Sequence, residues 1–96
     1  MTISDFQRLI EKTYFTRDHA RGMAGTFMWF TEEVGELSTA LRCGTKAEQE
    51  AELADVLAWL VTLASIAGIE MEEAAKKYAD GCPACHKMPC VCSEKS

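Results

Sequence analysis

FTEEVGELSTAL, residues 30–41, carries two patterns at once. Phe27, Phe30, Val34, Leu37 and Leu41 follow one another at spacings of three and four, the period of a helix with an apolar stripe. Beside that stripe stand Glu32, Glu33 and Glu36. A second stretch, AELADVLAWLVTLA at residues 51–64, repeats the arrangement with Glu52 and Asp55. Glu33 and Glu36, like Glu52 and Asp55, are three residues apart, which sets each pair one turn apart on one side of its helix. Packed face to face, the two helices would aim Glu33, Glu36, Glu52 and Asp55 at one point. Carboxylates gathered in a helical interior repel one another unless a cation neutralises them. Hard oxygen donors suit magnesium, and manganese as the alternative. The expected chemistry is metal-dependent attack on a phosphate ester or anhydride.

Working outward, the sequence predicts four helices and a small tail. Thr2 or Ser4 can cap a first helix reaching about Lys12 or Tyr14, with Phe6, Leu9, Ile10 and Thr13 on one side. Residues 15–22 are polar and lack a clean period; they read as a loop or a frayed extension, punctuated by Gly22 and Gly25. The second helix should run from Met23 or Thr26 to Arg42, with Gly44 as a left-handed C-cap. Thr45 and Glu48 form a capping box for the third helix, which should reach Ala67 and stop at Gly68. A fourth covers about Met71 to Ala79. The third helix bears two stripes, Leu53, Leu57, Leu60, Ala64 and Val56, Leu60, Leu63, Ala67, with Val61 off to the side. Three other short helices can hardly cover it, so a second copy of the chain is expected and the assembly should be a homo-oligomeric bundle. A monomer with one well-wrapped central helix is the alternative.

The 96 residues suit one domain, and 48% hydrophobic with 26% charged is a globular balance. A net charge of −5 argues against coating nucleic acid or an anionic membrane. It leaves room for a nucleotide, because a bound divalent cation reverses the local field. No apolar run has the length of a membrane span, and MTISDFQRLIEK lacks a signal-peptide core, so a cytoplasmic location is expected. In that compartment five cysteines favour metal binding or free thiols over disulfides.

Glu32, Glu33 and Glu36, a spacer of fifteen residues, then Glu52 and Asp55 resemble the E-E-x-x-E … E-x-x-D motif of the MazG-like nucleoside triphosphate pyrophosphohydrolases. The flanking text resembles that family too, and the likeness covers residues 1–80, a catalytic domain followed by a tail at residues 81–96. The resemblance implies an all-α, four-helix fold assembled as a homodimer or a dimer of dimers. It implies hydrolysis of a nucleoside triphosphate to the monophosphate and pyrophosphate with magnesium. The family's metal positions map onto Glu33, Glu36, Glu52 and Asp55. Glu32 matches the first acid of the motif and, with Glu36, is a candidate to position or deprotonate the attacking water. Phosphoribosyl-ATP pyrophosphohydrolase and the dUTP or dCTP pyrophosphatases share the acid pattern and stand as alternatives. A helical zinc-binding adaptor without catalysis is a further one. A di-iron bundle would want Glu-x-x-His pairs, which His19 and His86 do not form.

Phosphate oxygens not held by metal call for cations. Lys76, Lys77, Arg17 and Arg21 are the candidates, and similar enzymes use basic residues after the second acidic cluster, which favours the lysines. Trp29, four residues before Glu33, and Trp59, four after Asp55, could face a base or simply fill space. Tyr14 and Phe15 offer another wall.

In the tail, Cys82, Cys85, Cys90 and Cys92 form a C-x-x-C and a C-x-C separated by four residues. Four close thiolates suit structural zinc, as a compact knuckle rather than a standard finger. His86 could replace one sulfur, and disulfides or free redox thiols are alternatives. Cys43 reads as a partly buried structural thiol.

Overall fold

The computed structural model describes residues 1–93, so the last three residues of the tail assigned to 81–96 lie outside it. Among the described residues there are three α-helices and no strand: α1 (Ile3–Cys43), α2 (Lys46–Ile66) and α3 (Met71–Ala75), the last continued by a 3₁₀ turn over Lys76–Tyr78. No single helix among them is long and apolar enough to cross a membrane.

Thr2 caps α1. Its hydroxyl accepts from the Asp5 N–H at 3.0 Å while the Asp5 carboxylate accepts from the Thr2 N–H at 2.9 Å. Thr45 and Glu48 repeat this box at the start of α2. Each box satisfies backbone donors that a helix start leaves free.

Residues 15–21, expected as a loop or frayed extension, are helical. The break falls on Gly22 alone, whose φ of 75° and ψ of −179° are not helical and divide α1 into two helical limbs. An L side chain is strained at that φ, so glycine sets the bend. Gly44 corrects a second expectation. Its φ is −90°, extended rather than left-handed, because the next residue already caps α2. Glycine fits there through close approach: a Cβ would stand 2.8 Å from the Ala40 carbonyl oxygen.

The stripe Phe27, Phe30, Val34, Leu37, Leu41 does not form the interior of the single chain. Phe27 is 54% exposed and Leu41 56%. The side of α1 turned to α2 carries Thr26, Glu33 and Ala40, seven residues apart, and small residues there let the helices approach closely. On α2 the fully buried side chain is Val61, expected off to the side, while Leu53, Leu57 and Leu60 of the first stripe are exposed. Cys43 is exposed, not partly buried, at the last position of α1. On the first limb, Leu9 and Thr13 of the expected face are exposed and Gln7 is buried instead.

Only Ala40, Val61 and Ala64 are buried apolar residues among those described. The radius of gyration is 15.7 Å, against about 12.5 Å for a compact chain of this length. The rows of apolar side chains are thus present but largely uncovered within one chain.

Candidate functional site

Glu33 and Glu36 project from the second limb of α1, and Glu52 from α2 opposite. Carboxylate oxygens of these three lie within 4.8 Å of one another. Glu33 Oε2 and Glu52 Oε2 are sealed from solvent, and neither has a hydrogen-bond partner among the described residues. Two buried carboxylate oxygens without donors are costly unless a cation stands between them. The Glu33 carboxyl is held above its usual range, first by burial, then by the charges of Glu36, Asp55 and Glu52. Asp55 therefore belongs to the same electrostatic group, one turn along α2. Glu32, a candidate for the catalytic base, is exposed and outside the close group, because it is displaced around the helix from Glu33. The donor set is all oxygen and acidic, which suits a hard divalent ion.

Next to the acids, Asp55 and Trp59 line a pocket of about 210 Å³ with Tyr14, Arg17, Asp18 and Arg21 of the first limb. Trp29 and Trp59 stack, with ring centroids 6.2 Å apart and an interplanar angle of 14°. The Arg21 guanidinium sits 4.7 Å from the Trp59 ring centroid. Arg21 also pairs with Asp18 at 3.0 Å and donates to the Thr26 hydroxyl at 3.3 Å. Arg17 forms no ion pair among the described residues. Asp18 and Thr62 also line this pocket, and neither was singled out in the sequence. The signal for Asp18 was its spacing of three from Arg21, which becomes meaningful only once residues 15–21 are helical.

Lys76 and Lys77 lie elsewhere. Lys76 pairs with Glu73 at 2.8 Å, and Lys77 borders the cysteine loop. Neither lines the pockets that contain Glu52 or Asp55.

In the tail, the sulfurs of Cys82, Cys85, Cys90 and Cys92 lie within 4.8 Å of one another, a group that can hold a metal ion. All are free thiols, and His86 is exposed outside the group. Cys85 is pulled down to about 6, chiefly by the Val91 N–H. Cys92 is pushed up to about 12 by its hydrogen bonding with Cys90, Cys85 and Cys82.

A family model described as the MazG nucleotide pyrophosphohydrolase domain matches residues 22–88. That span holds every acid of the group and both tryptophans, but omits Arg17, Arg21, Cys90 and Cys92. No curated relative matches the chain.

Proposed function

The chain belongs to the MazG nucleotide pyrophosphohydrolase family, and from that premise we propose that it hydrolyses a nucleoside or deoxynucleoside triphosphate to the monophosphate and pyrophosphate with magnesium. The observation that supports this reading is the pair of buried oxygens, Glu33 Oε2 and Glu52 Oε2, without a hydrogen-bond partner among the described residues, on carboxylates that approach within 4.8 Å from opposing helices. Glu33, Glu36, Glu52 and Asp55 would hold magnesium, which when bound screens the phosphate charges and polarises the phosphoryl group.

The chain's own residues supply the rest. Glu36, the exposed member of the close group, would orient a water and take its proton. That water attacks the α-phosphorus in line, the bond to the bridging β-phosphate oxygen breaks, and pyrophosphate leaves. The stacked indoles offer a flat apolar surface for the base, and Trp29 keeps 49% of its surface open. Arg21 is already engaged by Asp18, so Arg17, which lines the same pocket and forms no ion pair among the described residues, is the residue for a phosphate oxygen. Arg17→Ala should raise KM about tenfold with little change in kcat, since one charge-assisted hydrogen bond is worth roughly 1.5 kcal/mol. Steady-state kinetics would check the split.

The uncovered rows on α1 and α2 lead us to propose a homodimer or dimer of dimers, in which Phe27, Val34, Leu41, Leu53 and Leu57 meet a second copy. Light scattering should return an even multiple of the 10.6 kDa chain. A mass of one chain would refute the assembly.

The function is tested by following products across a panel of common and modified triphosphates, with magnesium and with chelator. Monophosphate and pyrophosphate should appear in equal amounts and only with metal. Release of orthophosphate instead, or no turnover of any triphosphate, would overturn the reading.

A further inference from the structure

We propose that Cys82, Cys85, Cys90 and Cys92 bind one structural zinc ion, making residues 81–92 a metal-closed knuckle separate from the acidic site. The sulfur geometry carries the argument. Cys82 and Cys92 Sγ are 3.8 Å apart, and Cys85 and Cys90 Sγ are 3.9 Å apart. A tetrahedron with zinc–sulfur bonds of about 2.3 Å has edges of about 3.8 Å. The sulfurs already stand at the spacing of a filled site, too far apart for disulfides, which need about 2.05 Å.

The backbone is arranged to support that cluster. The Cys82 N–H donates to the Lys87 carbonyl at 3.0 Å and the His86 N–H to the Cys82 carbonyl at 2.7 Å, which folds the first pair into a tight turn. His86 takes a φ of 57° within it. Gly81 has a φ of 95°, and a Cβ there would fall 2.6 Å from the Lys87 carbonyl oxygen. The turn closes only because residue 81 has no side chain. The Val91 N–H points at Cys85 Sγ at 3.5 Å and the Cys92 N–H at Cys90 Sγ at 3.3 Å. Backbone donors aimed at sulfur stabilise thiolates, the form zinc binds.

Charge and position agree. Four thiolates around zinc leave two negative charges, and Lys77 and Lys87 line the cavity shared with Cys82, Cys90 and Cys92. Tyr78 and Met88 line it as well, so the knuckle rests against the end of the 3₁₀ turn. The soft sulfur set excludes magnesium, and the acidic oxygens at Glu33 and Glu52 are a poor match for a thiophilic ion. The chain thus separates its two metals by ligand chemistry. The matched family span ends at residue 88, between the two cysteine pairs, so half of this ligand set lies beyond it.

The test is metal analysis of the intact chain after exhaustive dialysis, followed by cobalt exchange. We expect about one zinc per chain and, with cobalt, the intense charge-transfer and visible bands of tetrahedral thiolate coordination. Cys85→Ser with Cys90→Ser should abolish both, whereas Cys43→Ser and Glu33→Gln should keep the zinc. If the double variant fails to fold, the cobalt spectrum of the unaltered chain decides alone. Stripping the zinc should leave the helical circular dichroism in place yet speed tryptic cleavage at Lys87 at least about tenfold, because local closure depends on the metal. Absence of zinc, octahedral cobalt bands, zinc retained in the double variant, or unchanged cleavage at Lys87 would overturn the proposal.

Discussion

Glu33→Gln should lower turnover by at least ~100-fold and abolish the rise in melting temperature that magnesium gives, while raising the melting temperature of the metal-free protein. The two effects have opposite signs for one reason. In the absence of a cation the Glu33 carboxyl is raised by burial and by the charges of Glu36, Asp55 and Glu52. A neutral amide of the same shape removes that repulsion and can donate to the Glu52 carboxylate, which has a sealed oxygen in want of a donor. Under the proposed function the same carboxylate would be a magnesium ligand, which an amide would replace poorly. A residue kept only for packing would not strengthen the apo form and cripple the loaded one.

The pH dependence follows from the direction of that shift. The folded, metal-free chain holds the Glu33 proton more tightly than the unfolded chain, whose value is near the ordinary 4.5. The metal-free stability contributed by this group therefore falls as pH rises from about 4.5 through the raised folded value, and flattens above it. Magnesium stabilisation runs the other way. It grows over the same window, because the ligand must be deprotonated. Thermal melts with chelator and with magnesium, from pH 4 to 8 in steps of about half a unit, should show the two trends converge at the acid end. Glu33→Gln should flatten both.

Gln7→Ala is the largest stability effect expected away from the site. Gln7 is fully buried at 0% exposure. Its amide nitrogen donates to the Ser65 hydroxyl at 3.0 Å and the Ile69 carbonyl at 2.9 Å, and its amide oxygen accepts from the Met71 N–H at 2.9 Å. One side chain therefore ties the start of α1 to the end of α2, the connecting turn and the first residue of α3. Truncation leaves a cavity and strips partners from buried backbone groups, costing about 2–4 kcal/mol. For a chain of this size that is roughly 10–25 °C in Tm. Gln7 lies outside the acidic group, so turnover measured well below the new melting point should be little changed. A shift under about 3 °C would mean water replaces the lost bonds.

The acidic group was legible in the sequence because it depends on local spacing. Three residues between acids, on segments with helical period, place each pair on one side regardless of how the helices cross. The same holds for Thr45 with Glu48, whose capping box is local chemistry. Legibility failed where the answer depends on which flank of a helix meets its neighbour. The apolar row from Phe27 to Leu41 reads as a core, yet Thr26, Glu33 and Ala40 face α2 within the chain, and Val61 rather than Leu57 is sealed. An apolar pattern marks what a chain can cover, within its own fold or against another copy, and does not say which. Residues 15–22 read as a loop or a frayed extension of the first helix, and the structure favours the extension over the loop. Polar, exposed residues lack a period whether or not they are helical, and only Gly22 gave a true break. The Trp29–Trp59 stack was half legible, since both positions could be assigned to the acid-bearing sides but not to each other.

The most direct test is calorimetric titration of magnesium into the unaltered chain and into Glu33→Gln and Glu52→Gln separately. Binding in the unaltered chain, weakened at least ~10-fold by either single change, is the result expected of one ion shared between α1 and α2. Wild-type affinity in either variant, or no binding in the unaltered chain, would show that the two helices do not hold a cation in common.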